Sequence, residues 1–320
     1  EYKVALVAAD NGSSNDKAPT AAQTLVSSGC SIVLGSYGSG VSIAAAKTFE
    51  NGGVPALGIT CTNPQVTEGN PNYFRICFLD PFQGTVLANL AKSEFSAEKA
   101  YVLTKLGDDY SSGLGYNFTK AFKEAGGEVV AETFNEGNSD FTSFLNTAKS
   151  QNCDVIFAPV SLEAAQLIIE QSASNEIGIP MLAGDTWDSN VVLNAAKDKD
   201  VDIYVTTFYQ EGGNEKFDTD FKAWIESDNT NLTNNGGDST ISAVSAMGYD
   251  AYFVALEAIK AAGSKNPGDV LKALPGVSYT GVTGLIEFNE IGDAKRDTAF
   301  VKKANTETGA WDFVAEQGVN

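Results

Sequence analysis

Short apolar runs alternate along the chain with amphipathic stretches of helical period, and glycine, proline, asparagine and aspartate punctuate them. Runs rich in β-branched and aromatic residues read as strands at Tyr2–Ala8, Ile32–Leu34, Val54–Ile59, Tyr73–Ile76, Lys99–Lys105, Glu128–Phe134, Val155–Pro159, Pro180–Ala183 and Asp202–Thr207. Helical spacing of apolar positions predicts helices over Asp16–Ser28, Val41–Asn51, Phe141–Ser150, Leu162–Ser172, Phe217–Ser227, Ser242–Ala262 and Asp269–Leu274. Two more start at Asp80-Pro81 and after the loop Gly107–Gly113; the second ends at Gly126-Gly127. Asp10–Ser13 reads as a turn and Asn229–Asp238 as a polar loop. Leu285–Asn289 and Ala299–Lys303 read as strands of a closing hairpin or meander.

Strands and helices alternate almost throughout, which predicts parallel sheets covered by helices on both faces. There are too many units for one sheet. The expected fold is α/β, with two doubly wound parallel-sheet lobes joined by a multi-strand hinge. The expected division is 1–79 with 208–283 for the first lobe and 80–207 with 284–320 for the second. No Pro/Ser-rich or charged linker separates them, so several close crossings rather than one tether are expected, an arrangement that favours a hinged ligand cleft.

Composition narrows the chemistry. The 320 residues carry a net charge of −20 and a pI near 4.3, which argues against nucleic acid and anionic membrane surfaces as partners. There is no histidine, which removes the commonest general base, the Ser-His triad and most zinc sites. Gly35-x-x-Gly38-x-Gly40 has the wrong spacing for a dinucleotide fingerprint, and no G-x-S-x-G is present. No enzyme activity, cofactor or metal is expected. Cys30, Cys61, Cys77 and Cys153 show no CxxC spacing and read mostly as buried thiols, with a disulfide as the alternative.

One stretch organises the rest. Ser31–Pro64 reads strand, glycine-rich turn, helix, strand, turn. Its first turn, Gly35–Gly40, ends at a helix N-terminus where Ser39 and Ser42 are placed to cap, and where backbone N–H groups and the helix dipole favour a small anion. Its second, Thr60–Pro64, offers two threonine hydroxyls at the end of the next strand. Adjacent strands ending in hydroxyl residues make a polar shelf at the carboxyl edge of a parallel sheet, where α/β proteins bind ligands.

An ordered set of segments then resembles the type I periplasmic binding proteins, in the branched-chain amino-acid receptor family of ABC importers. It comprises Asp10–Ser13 with Ala18–Gly29, Gly35–Gly40 with Ala44–Lys47, Gly53–Pro55, Thr60–Pro64, Asn72–Arg75, Gln83-Gly84, Asp108–Tyr110, Gly126–Val130, Ser139–Phe141, Asp154–Phe157, Gly184-Asp185 with Trp187, Gly248–Ala251 and Gly284–Phe288. The family begins with a strand and long helix before the segment matching Tyr2–Ala8. The first lobe is therefore expected to lack about 40 residues, one central strand–helix unit, and to leave neighbouring edges unpaired.

The resemblance implies a monomeric extracytoplasmic receptor, either periplasmic or a cell-surface lipoprotein, from which a signal peptide has been removed. It implies delivery of a small, aliphatic amino acid to ABC permease membrane subunits by hinge closure. A sensory module of the same fold, or an amide or aromatic acid as ligand, is the alternative. It also implies that Ser39 and Thr62 hold the ligand carboxylate and that the Thr60 carbonyl and Asp185 hold the ammonium, while Tyr110 closes over it. Val160 stands where relatives carry a tyrosine, with Ser161 beside it. Trp187, Tyr37, Phe208 and Tyr209 are candidate pocket walls. Read without the family, Ser39 serves as a helix cap, Thr62 as a turn hydroxyl and Asp185 as a cap. Tyr110 then packs at a loop base, and the aromatic residues are core.

Overall fold

The structure, a computed structural model, describes residues 3–318. In chain order the elements are α1 (Ala18–Ser27), β1 (Val33–Leu34), α2 (Ser39–Gly52), β2 (Ala56–Gly58), β3 (Tyr73–Arg75), α3 (Asp80–Phe95), β4 (Lys99–Lys105), α4 (Asp109–Glu124), β5 (Glu128–Phe134), α5 (Thr142–Ser150), β6 (Val155–Phe157), α6 (Leu162–Ser174), β7 (Met181–Ala183), α7 (Asn190–Ala196), β8 (Ile203–Thr207), α8 (Glu215–Glu226), α9 (Asn229–Asn234), α10 (Ala243–Ala262), α11 (Pro267–Ala273), β9 (Ser278–Gly281), β10 (Gly284–Glu287), β11 (Ala299–Asn305) and β12 (Ala310–Gln317).

The chain divides into two compact units, Glu1–Leu79 with Met247–Arg296, and Asp80–Ala246 with Asp297–Asn320. It passes from one to the other three times, at 79/80, 246/247 and 296/297. Residues 208–246 therefore group with the second unit and 284–296 with the first, unlike the division expected from sequence. Local bonding explains both shifts. The Tyr209 hydroxyl donates to Asp218 (2.6 Å), tying α8 to the strand it follows. β10 pairs in register with β9, which keeps it in the first unit.

The first unit holds a parallel sheet of order β1-β2-β3 and the antiparallel hairpin β9-β10. α1 and α2 pack through Ala18, Ala22, Ala45, Ala46 and Phe49 over Val33, Ala56 and Tyr73. A Cβ on Gly52 would lie 2.5 Å from Val26, so a glycine is what lets the two helices approach. The expected strand Tyr2–Ala8 does not form: Tyr2 lies outside the described residues, and Lys3–Ala8 has no regular structure. Val4, Leu6 and Val7 are exposed, Leu6 at 82 %. Alternation predicts a strand only where a neighbouring edge supplies hydrogen bonds, and this segment pairs with none.

The second unit is built on one sheet of order β12-β11-β8-β7-β6-β4-β5. β4 to β8 run parallel, whereas β11 and β12 are antiparallel at one side. Alternation along β4 shows why its strands read as unbroken apolar runs. Ala100 and Val102 enter one core with α3 and α4, through Leu87, Leu90, Leu114 and Phe118. Tyr101 and Leu103 enter the other with α5, α6 and α7, through Leu145, Ile168 and Val192. Both faces are covered, so both residue sets are apolar.

Three details depart from the sequence reading. α7 and α9 are helices where none was expected; both are short and start on polar caps, Ser189 and Asp228. The expected pairing of Leu285–Asn289 with Ala299–Lys303 is absent. Each strand pairs instead with one not foreseen, β10 with β9 and β11 with β12.

Candidate functional site

Every candidate residue follows the carboxyl end of a parallel strand or starts the helix after it, where the backbone leaves polar groups free to meet a ligand. Each unit carries its own cluster of them.

In the first unit the turns after β1 and β2 are bonded to each other. Thr60 Oγ1 donates to the Tyr37 carbonyl (3.0 Å), and Asn63 N–H donates to Ser39 Oγ (3.2 Å). Ser39 thus accepts from the neighbouring loop rather than capping α2. The cap residue is Gly38, and Ser42 Oγ turns back to its carbonyl (2.8 Å). Ser39 Oγ–H remains a donor. Thr62 is fully buried, and among the described residues its hydroxyl has no hydrogen-bond partner. A buried hydroxyl left unpaired is costly, which makes Thr62 a candidate donor to a ligand. Tyr37 is 49 % exposed; its backbone, not its ring, braces Thr60.

Arg75 shapes this loop and is the residue the sequence reading missed. Its guanidinium is fully buried. Nη1 donates to the carbonyls of Cys61 (2.9 Å) and Asn63 (2.6 Å), and Nη2 donates to Pro64 O (3.3 Å) and Thr67 Oγ1 (2.9 Å). Nε pairs with Asp293 (2.6 Å). Carbonyls that would otherwise be orphaned are thereby satisfied, and the Thr60–Pro64 backbone is fixed. The available signal was a lone charge within the apolar strand Tyr73–Ile76.

In the second unit Asp185 follows β7. Its Oδ1 accepts from Gln83 Nε2 (3.1 Å) and Tyr110 OH (3.2 Å). Gln83 also donates to Thr206 Oγ1 on β8 (2.9 Å), while its own Oε1 is buried without a hydrogen-bond partner among the described residues. Tyr110 sits in the first turn of α4 rather than in a loop, because Asp108 caps the helix by accepting from Ser111 N–H (2.9 Å). Gly184 makes the cluster possible: a Cβ there would lie 2.4 Å from Tyr110 OH and 3.0 Å from Gln83 Nε2. Burial pushes the Asp185 carboxyl up to about 7, against the opposing hydrogen bonds from Gln83 and Tyr110. Among the described residues no ion pair includes Asp185. Gln83 was legible as a polar position in the helical stripe of Leu87 and Leu90.

The candidate walls separate. Trp187 is fully buried in the core with α6 and α7, and its Nε1 donates to Val160 O (3.1 Å). Thr186 Oγ1 donates to the same carbonyl (3.2 Å), so the loops after β6 and β7 are joined there. Trp187 braces these two loops from the core side. Tyr209 is likewise structural, bonded to Asp218 and to Asn214 N–H. Val160 is buried and serves through its carbonyl. Ser161 is partly exposed ahead of α6, with no side-chain cap bond. Phe208 is buried just after β8. Next to it Asp188 accepts from Thr207 Oγ1 (2.6 Å) and pairs with buried Lys302 (3.1 Å), which fastens the Asp185 turn to β8 and β11.

Two α/β units, three chain passages and polar clusters at the carboxyl edges of parallel strands define a two-unit α/β ligand-binding protein. A family description, periplasmic binding protein, matches residues 1–307. The chain belongs to that family, as a type I periplasmic binding protein of the branched-chain amino-acid transporter group. It is 28 % identical over 298 residues to Leu/Ile/Val-binding protein homolog 1 of Brucella suis biovar 1, covering 92 % of this chain and 77 % of that protein. It resembles the crystal structure of a leucine-binding protein, LivK, from Thermotoga maritima, with TM-score 0.86 and 30 % identity over 99 % of this chain and 88 % of that one. LivJ from Streptococcus pneumoniae, solved with isoleucine, matches with TM-score 0.82 and 26 % identity over 98 % and 86 %. The solute binding protein of an ABC transporter from R. palustris, solved with benzoate, shares the fold at TM-score 0.81 and 19 % identity over 97 % of this chain and 84 % of that one. Among the described residues no helix is long and apolar enough to cross a membrane.

Proposed function

We propose that this chain is the extracytoplasmic receptor of an ABC importer and binds a small aliphatic amino acid, without transforming it. The observation that carries the reading is Asp185: a buried carboxylate, raised by burial, with hydrogen-bond donors but no cation of its own. A ligand ammonium supplies that cation. The unpartnered Gln83 Oε1 adds a neutral acceptor beside it. In the first unit Thr62 Oγ1 and Ser39 Oγ supply donors for the ligand carboxylate, and the Thr60 carbonyl takes a share of the ammonium. A zwitterion needs this division, with donors at one end and charged acceptors at the other. The names of the Brucella and Thermotoga relatives agree with the amino-acid class.

One ligand engaging both half-sites favours the state in which both contact it, and three chain passages suit a hinge. The permease subunits of the importer recognise that state.

Calorimetry with leucine, isoleucine, valine, alanine and benzoate tests the proposal. One or more of the amino acids is expected to bind with unit stoichiometry. Asp185→Ala is expected to lose about 2–5 kcal/mol, because it strands a buried ammonium. Binding of benzoate alone, or unchanged amino-acid affinity in Asp185→Ala, overturns it.

A further inference from the structure

We infer that Cys61 and Cys77 are a dithiol pair that closes to a disulfide in an oxidising compartment and fastens the Thr60–Pro64 loop to the end of β3. The two lie in the first unit, in the turn after β2 and just after β3. Both are fully buried. Their side chains are hydrogen-bonded to each other.

The backbone brings them together. β2 and β3 pair in parallel, with Gly58 opposite Arg75, and Ile76 N–H continues the ladder to Gly58 O (3.0 Å). The chain after Gly58 then folds back, so that a Cβ on Gly58 would lie 2.2 Å from Cys61 Sγ. Only glycine leaves room for that sulfur. The Cys61 carbonyl is held by Arg75 Nη1, which fixes the backbone from which the thiol projects.

The surroundings favour a thiolate at Cys61 and at neither Cys30 nor Cys153. The hydrogen bond from Cys77 pulls the Cys61 thiol down, with help from the Arg75 guanidinium and Ser42, against the opposing effect of burial. A second guanidinium, Arg296, is held nearby by Ile76 O and Thr283 and interacts electrostatically with Cys77. Burial pushes the Cys30 and Cys153 thiols up instead. A thiol beside cationic groups exchanges readily, whereas one in apolar surroundings is inert.

The step balances with an external disulfide as oxidant. One thiolate of the pair attacks a sulfur of the oxidant, breaks its S–S bond and releases one thiolate. The second thiolate attacks the mixed disulfide, forms the Cys61–Cys77 bond and releases the other half of the oxidant. The protein loses two electrons and two protons, and the oxidant leaves as two thiols. Because both sulfurs are buried, exchange takes place during folding or when the first unit opens. The closed loop includes Thr62 and the single 3-10 turn at Pro64–Val66, so the bond restrains the unfolded chain there.

The test refolds the full chain from the reduced, denatured state in a mixture of oxidised and reduced glutathione, followed by alkylation and non-reducing trypsin digestion. Arg75 lies between the two cysteines, so cleavage places them on separate peptides, 48–75 and 76–92. The expected result is these two peptides joined and lighter by two hydrogens, with Cys30 and Cys153 alkylated. The oxidised protein is expected to melt about 5 °C or more above the reduced form. Recovery of both peptides fully alkylated, or pairing of either cysteine with Cys30 or Cys153, overturns the inference. A Cys61→Ala/Cys77→Ala protein whose melting still responds to reductant also overturns it.

Discussion

Thr62 and Asp185 are both buried with an electrostatic need unmet, and they respond to substitution in ways that separate binding from stability. Thr62→Val keeps the shape and removes the unpartnered hydroxyl. The unliganded protein is expected to be as stable as before or slightly more so, while amino-acid affinity falls by about 1–3 kcal/mol; chemical denaturation and calorimetry on the same sample check both signs. Asp185 adds a pH dependence. In the unfolded chain an aspartate titrates near 4, whereas here burial raises it to about 7. The folded state therefore holds the extra proton between these values, and stability falls as pH rises through that window. Asp185→Asn lacks this term, so its melting temperature relative to the parent is expected to rise from pH 4 to pH 8. Ligand binding carries the opposite requirement. An ammonium needs the ionised carboxylate, so affinity is expected to weaken up to about tenfold per unit below pH 7. A purely anionic ligand reverses that slope.

The site geometry depends on how elements approach. Gly184 lies between β7 and the Asp185 turn, and Gly184→Ala drives a methyl group into Tyr110 OH and Gln83 Nε2. Both donors to Asp185 are expected to be displaced, with affinity lost by tenfold or more and melting lowered by less than a core truncation would cause. Arg75 holds the Thr60–Pro64 loop of the first unit. Arg75→Met leaves Asp293 buried without its cation and frees three loop carbonyls, so a loss of about 3–5 kcal/mol of stability is expected on denaturant titration. The elements that carry these residues were largely legible in the sequence. β4 and β5 match their expected bounds, because apolar runs ending at glycine or a charged turn leave little freedom. What was not legible was pairing. Lys3–Ala8 alternates like a strand yet finds no partner, and β9 and β12 are short or polar enough to pass for loops until the neighbouring strand is placed. Ser39 lay where a cap belongs, and only the position of Asn63 showed that its oxygen points elsewhere.

At the scale of the molecule, the two units have separate cores, and the proposed function has both engage one ligand. Thr62→Val and Asp185→Asn lie in different units, and both are expected to weaken the same amino acid. Ligand is expected to raise the melting temperature and to lower the radius of gyration measured by small-angle X-ray scattering. An unchanged radius with tight binding would argue against closure while leaving the receptor reading intact. Residue order carried the family resemblance along almost the whole chain. The division into units was less legible, because its passages at 246/247 and 296/297 fall in a helix and beside a short turn, where composition does not change.

The placement of Trp187 has a practical consequence. Its indole is sealed in the second unit's core, two residues from Asp185, and its N–H shares the Val160 carbonyl with Thr186. Trp224 is exposed. The protein thus carries its own optical gauge: a sheltered indole emitting at short wavelength beside the carboxylate, and a wet one far along the chain that an aqueous quencher silences. With the outer signal quenched and the partly buried third indole, Trp311, replaced by phenylalanine, a change in the remaining emission on adding an amino acid reports occupancy at Asp185 without any label.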